Sequence, residues 1–123
     1  MEKKKKLLLV DDDDAVFEYL NVKLGGEFEL VGCASADQAL SAVRSSRPDL
    51  VLCDVDLPGM DGGDLSALFF ADSETRDIPF LFLTALLSPA DLQARGNQLA
   101  GRRAVSKQAP IEAIAACIRE ALY

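Results

Sequence analysis

Leu7-Leu8-Leu9-Val10-Asp11-Asp12 is an aliphatic run that stops on two carboxylates, and Asp49-Leu50-Val51-Leu52-Cys53-Asp54 repeats the pattern. Neither run alternates apolar with polar residues. Short continuous runs of this kind suit strands buried on both faces, as in a parallel sheet covered by helices. Working outward, residues 28–31 and 80–83 read as two more strands, and a weaker one lies around Ala104 and Val105. Helical patterns separate all five. Antiparallel hairpins need no such spacers, so the chain reads as an α/β domain.

The first helix is marked by Val16, Phe17, Leu20 and Leu24 at helical spacing, with Gly25-Gly26 as its stop. Ser35 followed by Gln38 is a capping-box pattern for the second, whose apolar face is Ala36, Ala39, Leu40 and Val43 before Pro48 restarts the chain. Leu65, Leu68 and Phe69 suggest a third. Ser88 as N-cap, Pro89 at the first helical position and Asp91 in the first turn open a fourth, with a thin apolar face of Leu92 and Leu99. A helix anchored so weakly could move. Pro110 opens the last, where Ile111, Ile114, Ala115, Ile118 and Leu122 form a clear stripe.

With 123 residues, half of them hydrophobic, the sequence suits one compact domain spanning residues 1–123. Twenty acidic against 13 basic residues give a formal charge of −7, which speaks against direct contact with nucleic acid. There is no histidine, which excludes histidine-activated serine or cysteine nucleophiles and imidazole-based zinc sites. Cys33, Cys53 and Cys117 are odd in number, far apart and set among apolar residues, as expected of buried free thiols in a reducing compartment. Glu2 and the lysines from Lys3 to Lys6 before the aliphatic run imitate a secretory leader, but that run is four residues long and meets four aspartates. The longest apolar stretch, 78–87, falls well short of the roughly 20 residues that span a bilayer. The expectation is a cytoplasmic protein without membrane contact, in which the lysines are a solvated lead-in to the first strand and Phe80 and Phe82 belong to the core.

In an open parallel sheet ligands sit beyond the carboxyl ends of the strands. Asp11 and Asp12 follow the first strand, Asp54 the third, Thr84 the fourth and Lys107 the fifth, so all five are expected on one edge. Three crowded carboxylates need a counter-charge, and hard oxygen donors favour Mg²⁺, with Mn²⁺ as a substitute. Magnesium prefers a few carboxylates plus phosphate oxygens and water, so the site looks built for a phosphoryl group. Lys107 would supply positive charge to it and Thr84 a hydrogen bond, leaving Asp54 as the candidate nucleophile. Asp13 and Asp14 read as no more than a cap for the first helix.

Together with Leu57-Pro58-Gly59-Met60-Asp61-Gly62, Phe82-Leu83-Thr84-Ala85 and Ser106-Lys107, the two opening stretches resemble a response-regulator receiver domain of two-component signalling, of the chemotaxis-regulator type. The resemblance runs in order over essentially the whole chain. It implies a flavodoxin-like (βα)5 three-layer sandwich with a five-stranded parallel sheet of order 2-1-3-4-5, an arrangement for which a receiver protein is itself a standard illustration. It further implies that Asp54 accepts a phosphoryl group from a partner phosphohistidine, on a sensor histidine kinase or a histidine phosphotransfer protein. Asp11, Asp12, Asp54 and the backbone carbonyl of Asp56 would hold Mg²⁺, and Thr84 and Lys107 would sense the phosphoryl group. Such a chain is a switch with slow partial reactions that acts on a downstream protein, as a monomer or weak dimer.

The sequence departs from the family pattern in places. Gln108 stands where a proline usually follows the lysine, and Ala104 where an aromatic ring usually swings inward on activation. A phosphorylation-independent interaction domain is therefore a second reading. Leu86, two beyond the threonine, cannot orient a water, so slow self-dephosphorylation is expected unless Asp56 compensates. An aspartyl phosphatase of the haloacid dehalogenase type shares the order Asp54, Asp56, Thr84, Lys107, but there the acidic pair follows the lysine, and no cap domain fits here.

Overall fold

The computed structural model describes residues 3–123, which leaves Met1 and Glu2 outside it. Its elements are β1 (Lys5–Val10), α1 (Asp14–Leu24), β2 (Phe28–Cys33), α2 (Ala36–Ser46), β3 (Leu50–Asp54), α3 (Gly62–Ala71), β4 (Phe80–Thr84), α4 (Pro89–Ala94), β5 (Gln98–Leu99), β6 (Arg102–Ser106) and α5 (Ile111–Leu122). The sheet order is β2-β1-β3-β4-β6-β5. All pairings are parallel except β5 with β6. The expected 2-1-3-4-5 order is present, with β6 in the fifth place, and the antiparallel edge strand β5 is an addition to it.

Alternate residues of each central strand feed two cores. Leu8, Val10, Val51 and Cys53 pack under α2, α3 and α4, whereas Leu7, Leu9, Leu50 and Leu52 pack under α1 and α5. This explains why those strands are apolar throughout. Phe80 bridges Phe69 and Phe82 by edge-to-face contacts at 5.6 and 5.3 Å. At the sheet edge the expectation of burial on both faces fails, since Glu29 and Gly32 of β2 are exposed.

Several local expectations change. Leu99 belongs to β5 and not to the fourth helix, which ends at Ala94 because Gly96 and Asn97 take left-handed backbone. Leu92 is its one buried residue, and the Ser88–Asp91 capping box is reciprocal. The α2 box is displaced: Ser35 Oγ accepts from Gln38 N, but Gln38 Oε1 accepts from Ala34 N. Leu68 is exposed, and of the cysteines only Cys53 is fully buried, although all are free. Nor are the lysines merely a solvated lead-in. Lys5 and Lys6 open β1, Lys4 Nζ donates to Gly25 O beyond α1, and Lys6 Nζ to Ser46 O at the end of α2, both at 2.8 Å. Each places a cation where a helix presents its last carbonyls. Among the described residues no helix is long and apolar enough to cross a membrane.

Candidate functional site

Parallel strands that all end at one edge bring their last residues together. Asp11 and Asp12 leave β1, Asp54 ends β3, Thr84 ends β4 and Lys107 follows β6. One carboxylate oxygen from each of Asp11, Asp12 and Asp54 lies within 4.8 Å of the others. Asp11 and Asp54 are buried, whereas Asp12 is exposed.

Lys107 joins two of them, with Nζ 2.6 Å from Asp11 Oδ2 and 3.2 Å from Asp54 Oδ2. The other oxygens are held by backbone: Asp11 Oδ1 accepts from Asp13 N at 2.9 Å and Asp54 Oδ1 from Asp56 N at 3.2 Å. The Asp11–Lys107 contact is a close ion pair without hydrogen-bond alignment, so Asp11 Oδ2 is buried with no aligned donor. Burial pushes the Asp54 carboxyl above the usual carboxylate range, an effect that the Asp56 N–H and Lys107 oppose without cancelling. For Lys107 burial works against the charge, but contact with Asp11 and Asp54 outweighs it and holds the ammonium above the usual lysine range.

Three hard carboxylates without a nitrogen or sulfur donor suit Mg²⁺ or Mn²⁺, with Lys107 Nζ as the positive charge that balances Asp11 and Asp54 in this structure. The residues fit the group. The Asp56 side chain stays outside this cluster, on the surface. Thr84 is fully buried, and its Oγ1 accepts from Leu86 N at 3.0 Å, which is a local cap of its own loop. Asp13 caps α1, as expected, through Oδ1 and Ala15 N.

Three residues were not singled out by sequence reasoning. Gly62 packs on the Asp54 backbone, and Arg102, at the opposite end of β6 from Lys107, donates to the buried Ser66 hydroxyl at 2.8 Å while lying 5.4 Å from the Phe80 ring centre. Ser106, seen only as the residue before Lys107, is buried and bonded on two sides. The first had a signal in Asp61-Gly62-Gly63, a helix start without side chains. The other two depend on partners remote in sequence.

The family described as the response regulator receiver domain matches residues 7–119. The DNA-binding response regulator MtrA of Mycolicibacterium smegmatis is 43% identical over 76 residues, which are 61% of this chain and 32% of MtrA. The chain thus matches about a third of the length of that relative. A crystal structure described as a response regulator from Chloroflexus aurantiacus J-10-fl shares 33% identity and a TM-score of 0.83, over 98% of each chain. The chemotaxis response regulator CheY4 of Vibrio cholerae, at 24% identity, shares the fold with a TM-score of 0.81 over 98% of this chain and all of CheY4. The dehalogenase-type alternative finds no support among these relatives. A match of this extent, on a backbone common to solved receivers, means that the chain belongs to the response regulator receiver domain family.

Proposed function

We propose that residues 1–123 act as one receiver domain in which Asp54 accepts a phosphoryl group from a phosphohistidine of a sensor kinase or histidine phosphotransfer protein. The observation that carries this reading is the pairing of Asp54 Oδ2 with Lys107 Nζ at 3.2 Å, inside a cluster of two further carboxylates. In the transfer the phosphorus–nitrogen bond breaks as a phosphorus–oxygen bond forms to Asp54. The imidazole leaves with its other nitrogen protonated, so this chain needs no acid of its own. Lys107 exchanges its carboxylate contacts for phosphoryl oxygens, and Thr84 turns its hydroxyl from Leu86 N toward the same group. Asp11, Asp12, Asp54 and the Asp56 carbonyl would hold Mg²⁺, or Mn²⁺ in its place. When bound, the cation neutralises charge on the phosphoryl oxygens.

The modified domain then changes its contact with a downstream protein, in the cytoplasm and as a monomer or weak dimer. Direct contact with nucleic acid is not part of the proposal, because the reactive edge is acidic. A phosphate-independent interaction domain is favoured by one observation: Ala104 is buried without the ring that would move. Intact mass after incubation with acetyl phosphate, with and without Mg²⁺, separates the two. A metal-dependent gain of one phosphoryl group, abolished in Asp54→Ala, is expected. No gain, together with no response to beryllofluoride, would overturn the phosphoacceptor reading.

A further inference from the structure

Lys107 is fastened to its surroundings by more than its ammonium. Its backbone N–H donates to Thr84 O at 2.7 Å, which ties the end of β6 to the end of β4. On one side of it Ser106 is 1% exposed, and on the other Gln108 lies at the surface. The Gln108 N–H donates to Ser106 Oγ at 3.0 Å, and Ser106 Oγ donates to Leu87 O at 2.8 Å. Leu87 immediately precedes Ser88, the N-cap of α4. A single hydroxyl therefore receives a bond from the turn that carries Lys107 and passes one to the loop that starts α4. The first bond exists only because residue 108 has an N–H, which a proline would lack.

What lies at the far end is easily displaced. α4 has six residues and buries only Leu92, so little apolar contact resists a change at its first turn. The near end is loaded, since Lys107 Nζ sits between Asp11 and Asp54 and must shift when the charge on Asp54 is redistributed. With Ala104 offering no ring to transmit that shift, this hydrogen-bonded path stands beside the short loop from Thr84 to Ser88 as a physical link between the site and α4.

We infer that Ser106 is a positioning residue that couples Lys107 to α4 through the relay Gln108 N–H to Ser106 Oγ–H to Leu87 O. This rests on the receiver reading above. The relay names a two-ended element that both the site and the helix can bias, which is what coupling requires.

The test is a titration of the full chain, isotopically labelled, with beryllofluoride and Mg²⁺, following backbone amide resonances. Asp54 and Val55 report the site, and Leu87, Asp91 and Leu92 report α4. The ratio of the α4 shift to the site shift is the readout, since a merely structural loss of stability would not change it selectively. In the unsubstituted chain both sets move. Ser106→Ala is expected to lose most of the α4 shift at equal site occupancy, and Ser106→Thr, which restores the hydroxyl, to regain it. Gln108→Pro, at an exposed position, removes the donor without touching the buried serine and is expected to show the same loss, so it decides the matter if Ser106→Ala does not fold. A full α4 shift in Ser106→Ala or Gln108→Pro would overturn the relay while leaving the receiver reading intact. No response at Asp54 and Val55 in the unsubstituted chain would overturn the receiver reading, and the relay with it.

Discussion

A Cβ added to Gly62 would stand 2.5 Å from the Asp54 carbonyl oxygen and 3.0 Å from Val55 Cα, both backbone atoms that cannot turn aside. Relief must come from moving the loop that begins with Asp54. Gly62→Ala is therefore expected to cost about 1–3 kcal/mol in urea unfolding and to slow phosphorylation by acetyl phosphate. Unchanged values for both would show that α3 shifts instead. Leu86 presents the opposite situation, an apolar side chain that is 69% exposed on the loop held by Thr84. It has no atom that could hold an attacking water, so the phosphorylated domain should be long-lived. Leu86→Gln should hasten dephosphorylation by about tenfold, equal to roughly 1.4 kcal/mol in the barrier. A half-life of seconds for the unsubstituted chain would contradict this.

Arg47 closes α2 with φ 49° and ψ 65°, a left-handed position that favours glycine. Its N–H bond to Val43 O does not need the side chain. Arg47→Gly is thus expected to raise stability by about 0.5–1 kcal/mol, read as a higher urea midpoint, and a lower midpoint would contradict it. Other element ends show why some of the fold was readable and some was not. Residues 7–10 of β1, 50–53 of β3 and 80–83 of β4 are legible because burial on both faces leaves no polar residue among them. Lys5 and Lys6 are invisible as strand because they pair with β2 along the backbone while the Lys5 side chain is exposed and that of Lys6 serves the end of α2. Gly96-Asn97 was the available stop signal for α4, and the spacing of Leu92 and Leu99 concealed it. The carboxylates and Lys107 could be found because each stands directly after a strand. The role of Ser106 could not, since Leu87 O reaches it only in the folded chain.

Across the whole molecule, Glu27 between α1 and β2 receives two bonds from Arg119 of α5, at 2.6 and 2.7 Å. Arg119 holds the Glu27 carboxyl below its ordinary range. A carboxyl lowered on folding contributes stability that is complete above its unfolded-state pKa and fades as pH falls through the folded-state value. Glu27→Gln should accordingly be less stable than the unsubstituted chain at neutral pH, with the two urea midpoints converging in acid. A gap that does not narrow as the pH falls below the unfolded-state value would contradict the assignment. At the other margin, β5 lies antiparallel along β6 with Gln98 opposite Arg103 and Leu99 opposite Arg102, and Asn97 O accepts from Ala104 N. An open sheet otherwise offers such a border to any extended segment of an unfolded neighbour. Here the first residues of β6 are already paired, and two arginines stand along them. The small hairpin thus shields part of one border from pairing with another chain, which leaves β2, at the far side of the sheet, as the longer open one.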